Sequence, residues 1–227
     1  MNKKFMLLTL LAASAIMFAL PGIASAEVAH VSSVGKFTVT GEGNTTLTEH
    51  NETTKLPCTS VTGNGEFTTT TTGKITLSFH GCTENVFGSP CTGEVPTHEP
   101  AGTITTTQLE FHLIEIHNNV PGVLITPNND HFATFTCAGG LVTKKIGGNG
   151  VIGQITSTCG GAASTTHTID FESTNEAVAG STQKWMQITT AGTKYDLVNT
   201  NNGKTATMDA KAFIHFSDGV ARSIICT

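Results

Sequence analysis

Alternating apolar and polar residues recur along the chain and predict β-strands. Residues 74–80 alternate in this way, and so do residues 132–137 and 168–172. A period of two is what a strand shows when one of its faces is buried. We therefore expect a strand in each of these three segments.

The longest alternating pattern lies near the C-terminal end. One face of this predicted strand would carry six apolar residues: Ala206, Met208, Ala210, Ala212, Ile214 and Phe216. Phe213 is an exception on the opposite face. Asp218-Gly219 follows directly, and this dipeptide is typical of a two-residue β-hairpin turn. We expect the chain to turn there and to return through residues 220–226.

Two segments depart from regular alternation. In residues 109–116 the pattern shifts by one position at Leu113-Ile114, and an extra residue in one strand of a pair would cause such a shift. We therefore expect a β-bulge there. Residues 173–183 are the best place for a helical turn, and a loop is the alternative.

Turn-forming residues interrupt the chain about every ten to twenty residues, a spacing typical of β-sandwiches and β-barrels. No amphipathic helix pattern follows residue 26. We expect an all-β fold, namely an antiparallel β-sandwich, with an irregular β-barrel as the alternative. Residues 27–227 would form a single all-β domain, and a split into two β subdomains near residue 100 or 163 is the alternative.

The first 26 residues have a different pattern. Lys3 and Lys4 precede an apolar run at residues 5–20, and Ala24-Ser25-Ala26 is a small-residue cleavage site. These parts define a secretory signal peptide, and the run is shorter than the ~20 residues that a membrane-spanning helix needs. We expect a signal-peptide helix that is removed after Ala26. No other apolar run is long enough to span a membrane, so we predict a secreted or cell-surface protein.

The amino-acid composition supports the β assignment and argues against nucleic acid as a partner. Threonine is the most frequent residue, and only 13% of the residues are charged. β-Branched residues favour strands over helices, which argues against a helical bundle or a coiled coil. The net charge of −5 offers no basic surface for nucleic acid. We therefore expect no nucleic-acid partner.

An even number of cysteines follows the signal peptide: Cys58, Cys82, Cys91, Cys137, Cys159 and Cys226. In an exported protein this predicts disulfides, and six cysteines allow 15 pairings. Cys82 and Cys91 flank a short loop and would close it locally, and Cys137 and Cys159 end a predicted strand and its return run after glycine-rich turns, which leaves Cys58 for Cys226. No Cys-x-x-Cys pair is present, so we do not expect zinc at these cysteines.

Several short motifs resemble those of an uncharacterised group of secreted bacterial β-proteins rich in threonine and glycine. The motifs are Cys58-Thr59-Ser60-Val61-Thr62-Gly63-Asn64-Gly65-Glu66-Phe67, Leu77-Ser78-Phe79-His80-Gly81-Cys82 and Gly148-Asn149-Gly150-Val151-Ile152-Gly153. The likeness covers roughly residues 56–160, and the chain departs from it from residue 161 onward. It implies a secreted, disulfide-containing β-protein and carries over no catalytic residue.

Candidate chemistry is sparse. The spacing of Gly148, Gly150 and Gly153, with Asp170 further on, matches the sequence fingerprint of dinucleotide-binding proteins. In those proteins a helix follows the glycines, whereas residues 154–159 predict a strand. We therefore expect a glycine hairpin and no cofactor. His112, His117 and His131 could bind zinc or copper if a bulge brought them together, although scattered surface histidines are the favoured interpretation.

Glycoside hydrolysis would need two opposed carboxylates, and four acidic residues lie on predicted strands: Glu110, Glu115, Asp170 and Glu172. No Gly-x-Ser-x-Gly nucleophile motif occurs, and oxidised cysteines cannot act as nucleophiles. The sequence therefore favours a non-enzymatic structural, adhesive or partner-binding role at the cell surface or outside the cell. A secreted hydrolase with an unrecognised site and an extracellular metal-binding protein are the alternatives.

Overall fold

The computed structural model describes residues 28–49, 55–94, 99–174, 182–187 and 193–227. Its strands are β1 (Ala29–Val31), β2 (Lys36–Gly41), β3 (Thr45–Glu49), β4 (Lys55–Cys58), β5 (Ser60–Phe67), β6 (Thr72–His80), β7 (Thr92–Gly93), β8 (Ile104–Thr105), β9 (Leu109–His117), β10 (Val120–Pro127), β11 (His131–Cys137), β12 (Val142–Gly148), β13 (Val151–Ile155), β14 (Thr166–Phe171), β15 (Leu197–Asn199), β16 (Lys204–Phe216) and β17 (Ile224–Cys226). A 3₁₀ turn occupies Ala138–Gly140. The all-β prediction is confirmed, and the predicted signal peptide lies outside the described residues.

Eight strands form a closed antiparallel barrel. Their order is β2, β5, β6, β9, β10, β13, β14 and β16. Pairing of β16 with both β14 and β2 closes the ring, with Thr166 opposite His215 and Val39 opposite Ile214. Closure removes the free edges that a sandwich would leave. The barrel alternative therefore describes this part of the fold, rather than the favoured sandwich.

β16 belongs to two sheets. Its second half pairs inside the barrel, while its first half pairs with β3 and β15. This second sheet has the strand order β7, β11, β12, β15, β16, β3 and β4. Its residues Phe132 and Ile146 are buried in the same apolar core as Leu109 and Ile125 of the barrel. The assignment of residues 27–227 to one domain or two stays a prediction.

The strands predicted from alternation are present. Residues 74–80 lie in β6, residues 132–137 in β11, and the pattern at 168–172 ends with β14 at Phe171. Along β16 the predicted apolar face is turned to the core, where Ala206, Ala210, Ala212 and Phe216 are buried.

Phenylalanine rings fill one part of the barrel lumen. The rings of Phe37, Phe67, Phe111 and Phe216 lie with centroids 4.9 to 6.5 Å apart. A Cβ atom at Gly65 would clash with the ring of Phe37, so glycine is needed there. Threonines occupy the alternate, outward positions of the strands, which explains their abundance.

The only arginine of the chain, Arg222, is buried where β2 begins and β16 ends. It lies over the ring of Phe216, 4.2 Å from the centroid. Its guanidinium donates two hydrogen bonds to Asp218 and three to backbone carbonyl oxygens. The Asp218 carboxylate raises the pKa of Arg222, and the guanidinium holds the pKa of Asp218 well below its usual range.

The C-terminal return differs from the prediction. Asp218-Gly219 forms a turn, with Gly219 at φ 67°, but no two-residue hairpin follows. β17 pairs with β1, with Ala29 opposite Cys226. The hairpin prediction is wrong because both edges of β16 are already occupied, one by β2 and the other by β14.

The apparent shift at Leu113-Ile114 is not a bulge. Leu113 and Ile114 face Val123 and Gly122 in regular register, and the irregularity lies at Ile116 beside the β9–β10 turn. Leu113 belongs to the main core, whereas Ile114 belongs to a second apolar cluster. That cluster consists of Ile114, Ile116, Leu124 and Ile152, with Val120, Trp185 and Tyr195 packed against it. Leu113 and Ile114 therefore pack into two different apolar clusters on opposite faces of β9.

All six cysteines form disulfides, but none of the three expected pairs occurs. The bonds join Cys58 to Cys82, Cys91 to Cys137, and Cys159 to Cys226. Cross-strand register explains the first two. Ser60 faces His80, so Cys58 and Cys82 face each other two residues further out. Thr92 faces Thr136, so Cys91 and Cys137 are the next pair. Cys137 and Cys159 are not paired, because β11 pairs with β12 while β13 pairs with β10 and β14.

The segment between β14 and β15 is described only in part. Ser173 and Gln183 form an isolated antiparallel bridge, while residues 175–181 lie outside the described residues. The predicted helical turn falls largely on those residues. In the described part of the chain, no helix has the length and apolar character needed to cross a membrane.

Candidate functional site

The three histidines considered as metal ligands lie in different places. His112 is opposite Leu124 on the outer side of the barrel, and burial lowers the pKa of His112. His117 contacts Trp185 edge-on, with ring centroids 4.9 Å apart. His131 begins β11 in the second sheet. The structure thus gives the proposed histidine site no support.

One group of possible metal ligands is found among the described residues, and it consists of Glu115, Cys159 and Cys226. The two sulfur atoms are bonded to each other, so neither offers a thiolate. The carboxylate of Glu115 is buried and accepts a hydrogen bond from the backbone N–H of Asn119. This group therefore lacks the ligand chemistry of a metal site.

Of the four carboxylates considered for hydrolysis, Glu110 and Glu115 lie on β9, Asp170 lies on β14 and Glu172 directly follows β14. Asp170 lies between the lumen-facing residues Ile169 and Phe171, so its side chain points out of the barrel. Burial, and then the nearby charge of Glu172, raises the pKa of Asp170. Glu172 forms an ion pair with Lys184. Glu115 is buried, and none of the four carboxylates lines the groove described below.

The glycine motif at Gly148, Gly150 and Gly153 leads from β12 into β13. β13 begins inside the motif and ends at Ile155, so no helix of the kind that a dinucleotide site requires follows, and the strand predicted for residues 154–159 is present only at residues 154–155. The two strands do not form the predicted hairpin, because β12 pairs with β11 and β15 while β13 pairs with β10 and β14. The motif instead carries the chain from the second sheet into the barrel.

An open groove lies between the second sheet and the loop of residues 83–90. Leu56, Phe135 and Val142 line it on the sheet side, and Val86 and Phe87 line it on the loop side. Its volume is about 140 Å³. We call it the apolar groove.

The rim of the apolar groove exposes large hydrophobic side chains. Val86 is 58% exposed, Phe87 is 76% exposed and Val142 is 39% exposed. Leu141, next to Val142, is 87% exposed. Exposed apolar residues scattered singly are ordinary on a protein surface, but several gathered around a groove mark an interaction site.

The loop that carries Val86 and Phe87 is held by its own hydrogen bonds. The two carboxylate oxygens of Glu84 accept from the backbone N–H groups of Val86 and Phe87, each at 2.8 Å. The N–H of Glu84 donates to Ser89 O at 3.0 Å, and the N–H of Gly88 donates to Glu84 O at 3.0 Å. Phe87 is therefore exposed on an ordered turn.

Two disulfides fix the ends of this loop to opposite sides of the apolar groove. Cys82 is bonded to Cys58 at the end of β4, and Cys91 is bonded to Cys137 at the end of β11. All four of these cysteines are buried. A surface that is ordered before binding loses less conformational entropy when it binds.

The charged groups of the apolar groove have partners within the protein. The carboxylate of Glu49 is buried and accepts from Lys144 Nζ at 2.6 Å and from Asn199 Nδ2 at 2.9 Å. Both oxygens of Glu84 hold the loop. The groove thus contains two carboxylates, but neither is arranged as an unengaged acid or base for hydrolysis.

Sequence reasoning missed Val86 and Phe87. A signal was present, because two large apolar residues stand side by side inside a short loop between Cys82 and Cys91. Glycine, serine and proline in the same loop conceal that signal. The pairing of the cysteines, which shows what the loop faces, is not readable from the sequence.

Comparisons of the chain with protein-family models, with curated proteins and with solved structures give no match.

Proposed function

We propose that the protein is a secreted, non-enzymatic β-domain that binds a protein partner through the apolar groove. The observation that carries the proposal is the exposure of Phe87 on a loop fixed at both ends by disulfides. Exposing a phenylalanine on an ordered turn brings no gain to folding. In protein interfaces, preorganised aromatic side chains are frequent sources of binding energy.

An extracellular location is supported by two features. The three disulfides fit an oxidising compartment, since such bonds are rare in proteins of the cytosol. The pattern of residues 1–26 predicts a secretory signal peptide. The resemblance to secreted bacterial β-proteins agrees with both and remains part of the proposal.

The partner should present an apolar anchor and should not be a second copy of this chain. The exposed apolar residues of the rim are Val86, Phe87 and Val142, while the charges of Glu49 and Lys144 balance each other. Two copies of the domain without the predicted signal peptide would both be acidic and would repel each other. The hydrolase and metal-binding alternatives stay predictions, without a supporting arrangement among the described residues.

A peptide selection tests the proposal. The purified domain is exposed to random peptides displayed on phage, and the selected peptides are measured by fluorescence anisotropy. We expect an aromatic or aliphatic anchor in these peptides and a loss of binding with Phe87→Ser. Loss of a central aromatic anchor costs about 2 kcal/mol or more, which is roughly 30-fold in Kd.

Val220→Ser is the matched control, because Val220 is 49% exposed and lies near Arg222, away from the apolar groove. Peptides that bind Phe87→Ser as tightly as the unchanged protein would overturn the proposal. A stable dimer in sedimentation that Phe87→Ser dissociates would identify the partner as a second copy and would contradict the heterologous assignment.

A further inference from the structure

A cavity of about 80 Å³ lies between the barrel and the second sheet. Leu109 and Ile125 line it from the barrel, and Phe132, Ile146 and Leu197 line it from the second sheet. Two smaller voids of about 30 Å³ each lie in the barrel lumen. Protein interiors are normally filled, and unfilled volume is destabilising, so a void of this size calls for a reason.

The lining of this cavity is apolar. Among the described residues that line it, none is charged, and the polar ones are Thr45 and Thr106. The hydroxyl of Thr106 accepts a hydrogen bond from the backbone N–H of Leu77 at 3.0 Å. Water in a cavity needs two to four polar partners, so a lining of this kind favours a dry cavity and an apolar occupant.

The cavity is next to the apolar groove. Leu47, Leu56 and Phe135 line both. These three side chains form the partition between the open groove and the enclosed space. Rotation of one or two of them would join the two volumes, because side-chain rotamers exchange without movement of the backbone.

We propose that this cavity is a binding site for a small uncharged apolar molecule, such as an aromatic ring or a short alkyl chain, which enters from the apolar groove past Leu47, Leu56 and Phe135. The absence of charge in the lining excludes an ionic headgroup from the cavity itself. The site is distinct from the partner-docking rim at Val86 and Phe87, so either proposal can fail without the other.

Benzene is a suitable probe, with methyl-labelled protein observed by NMR. We expect saturable shifts of the Ile104, Leu109, Ile125 and Ile146 methyl groups, which line the cavity. Ala133 also lines it, so Ala133→Leu should fill the space and weaken benzene binding at least tenfold. Ala163→Leu is the matched control, because Ala163 is exposed and should leave binding unchanged.

Two further variants keep the test decisive. Ile146→Val enlarges the cavity mildly and should preserve or strengthen binding, even if Ala133→Leu fails to fold. Phe87→Ser should leave benzene binding unchanged while it weakens peptide binding about 30-fold, which separates this inference from the proposed function. The inference is overturned if benzene causes no saturable shift of the cavity methyl groups, or shifts only Val86 and Val142 in the groove.

Discussion

Replacing Arg222 with methionine removes the hydrogen bonds at one end of the barrel while keeping an unbranched apolar stem. The guanidinium donates to the carbonyl oxygens of Ser33, Val34 and Val220 at 2.8 to 2.9 Å. Each such bond contributes about 1 kcal/mol net to stability. The contact with the Phe216 ring, 4.2 Å from the centroid, adds about 1 kcal/mol.

The free energy of unfolding should therefore fall by about 4 kcal/mol in Arg222→Met. We assign no energy to the Asp218 contacts, because that side chain is 44% exposed and its attraction is weakened by water. Arg222→Lys should lose most of the same energy, since one ammonium group cannot reach the acceptors that the planar guanidinium reaches.

Urea unfolding followed by circular dichroism, with the disulfides intact, measures this change. The matched control is Lys211→Met, which removes an ion pair with Glu42 whose two side chains are 44% and 49% exposed. The control midpoint should stay close to that of the unchanged protein. If the midpoint of Arg222→Met is no lower than that of the control, Arg222 does not stabilise this end of the barrel.

Three further outcomes are expected. Burial lowers the pKa of His167 below its ordinary value of 6.5. As the pH falls below 6.5 the unfolded chain therefore binds the proton first, so stability falls through that window. His167→Gln should reduce this slope in urea midpoints measured against pH, and an unchanged slope would contradict the assignment. Cys159 and Cys226 are partly exposed while the other cysteines are buried, so mild reduction and alkylation should label this pair first in peptide mass spectrometry. Earlier labelling of Cys91 would contradict this order. Glu84→Ala should weaken binding of the selected peptides about tenfold by loosening the loop, and equal affinity would show that preorganisation does not matter.

The strands were predictable because their signal is local. Alternation at β6, β11 and β16 records which side chains face a core, and this depends on neighbours two residues apart. β9 shows the limit of the method. Leu113 and Ile114 are both buried, yet in different clusters, so a regular strand resembles a bulged one.

Pairing was not predictable because it depends on closure of the whole barrel. β16 has β2 and β14 as neighbours, and that leaves β17 to pair with β1. Two of the disulfides follow from strand register: Cys58 and Cys82 flank the β5–β6 pair, and Cys91 and Cys137 flank the β7–β11 pair. Exposure of Phe87 depends in turn on where those disulfides place the loop. The candidate site could therefore be identified only from the structure, whereas the strands could be predicted from the sequence.

The ratio of peptide dissociation constants for Phe87→Ser and Val220→Ser tests the central claim most directly. Both variants replace an exposed apolar residue with serine, but only Phe87 lies at the apolar groove. We predict a ratio of about 30 or more, since Phe87 is the proposed anchor. A ratio near one would show that the groove around Phe87 is not where this protein binds its partner.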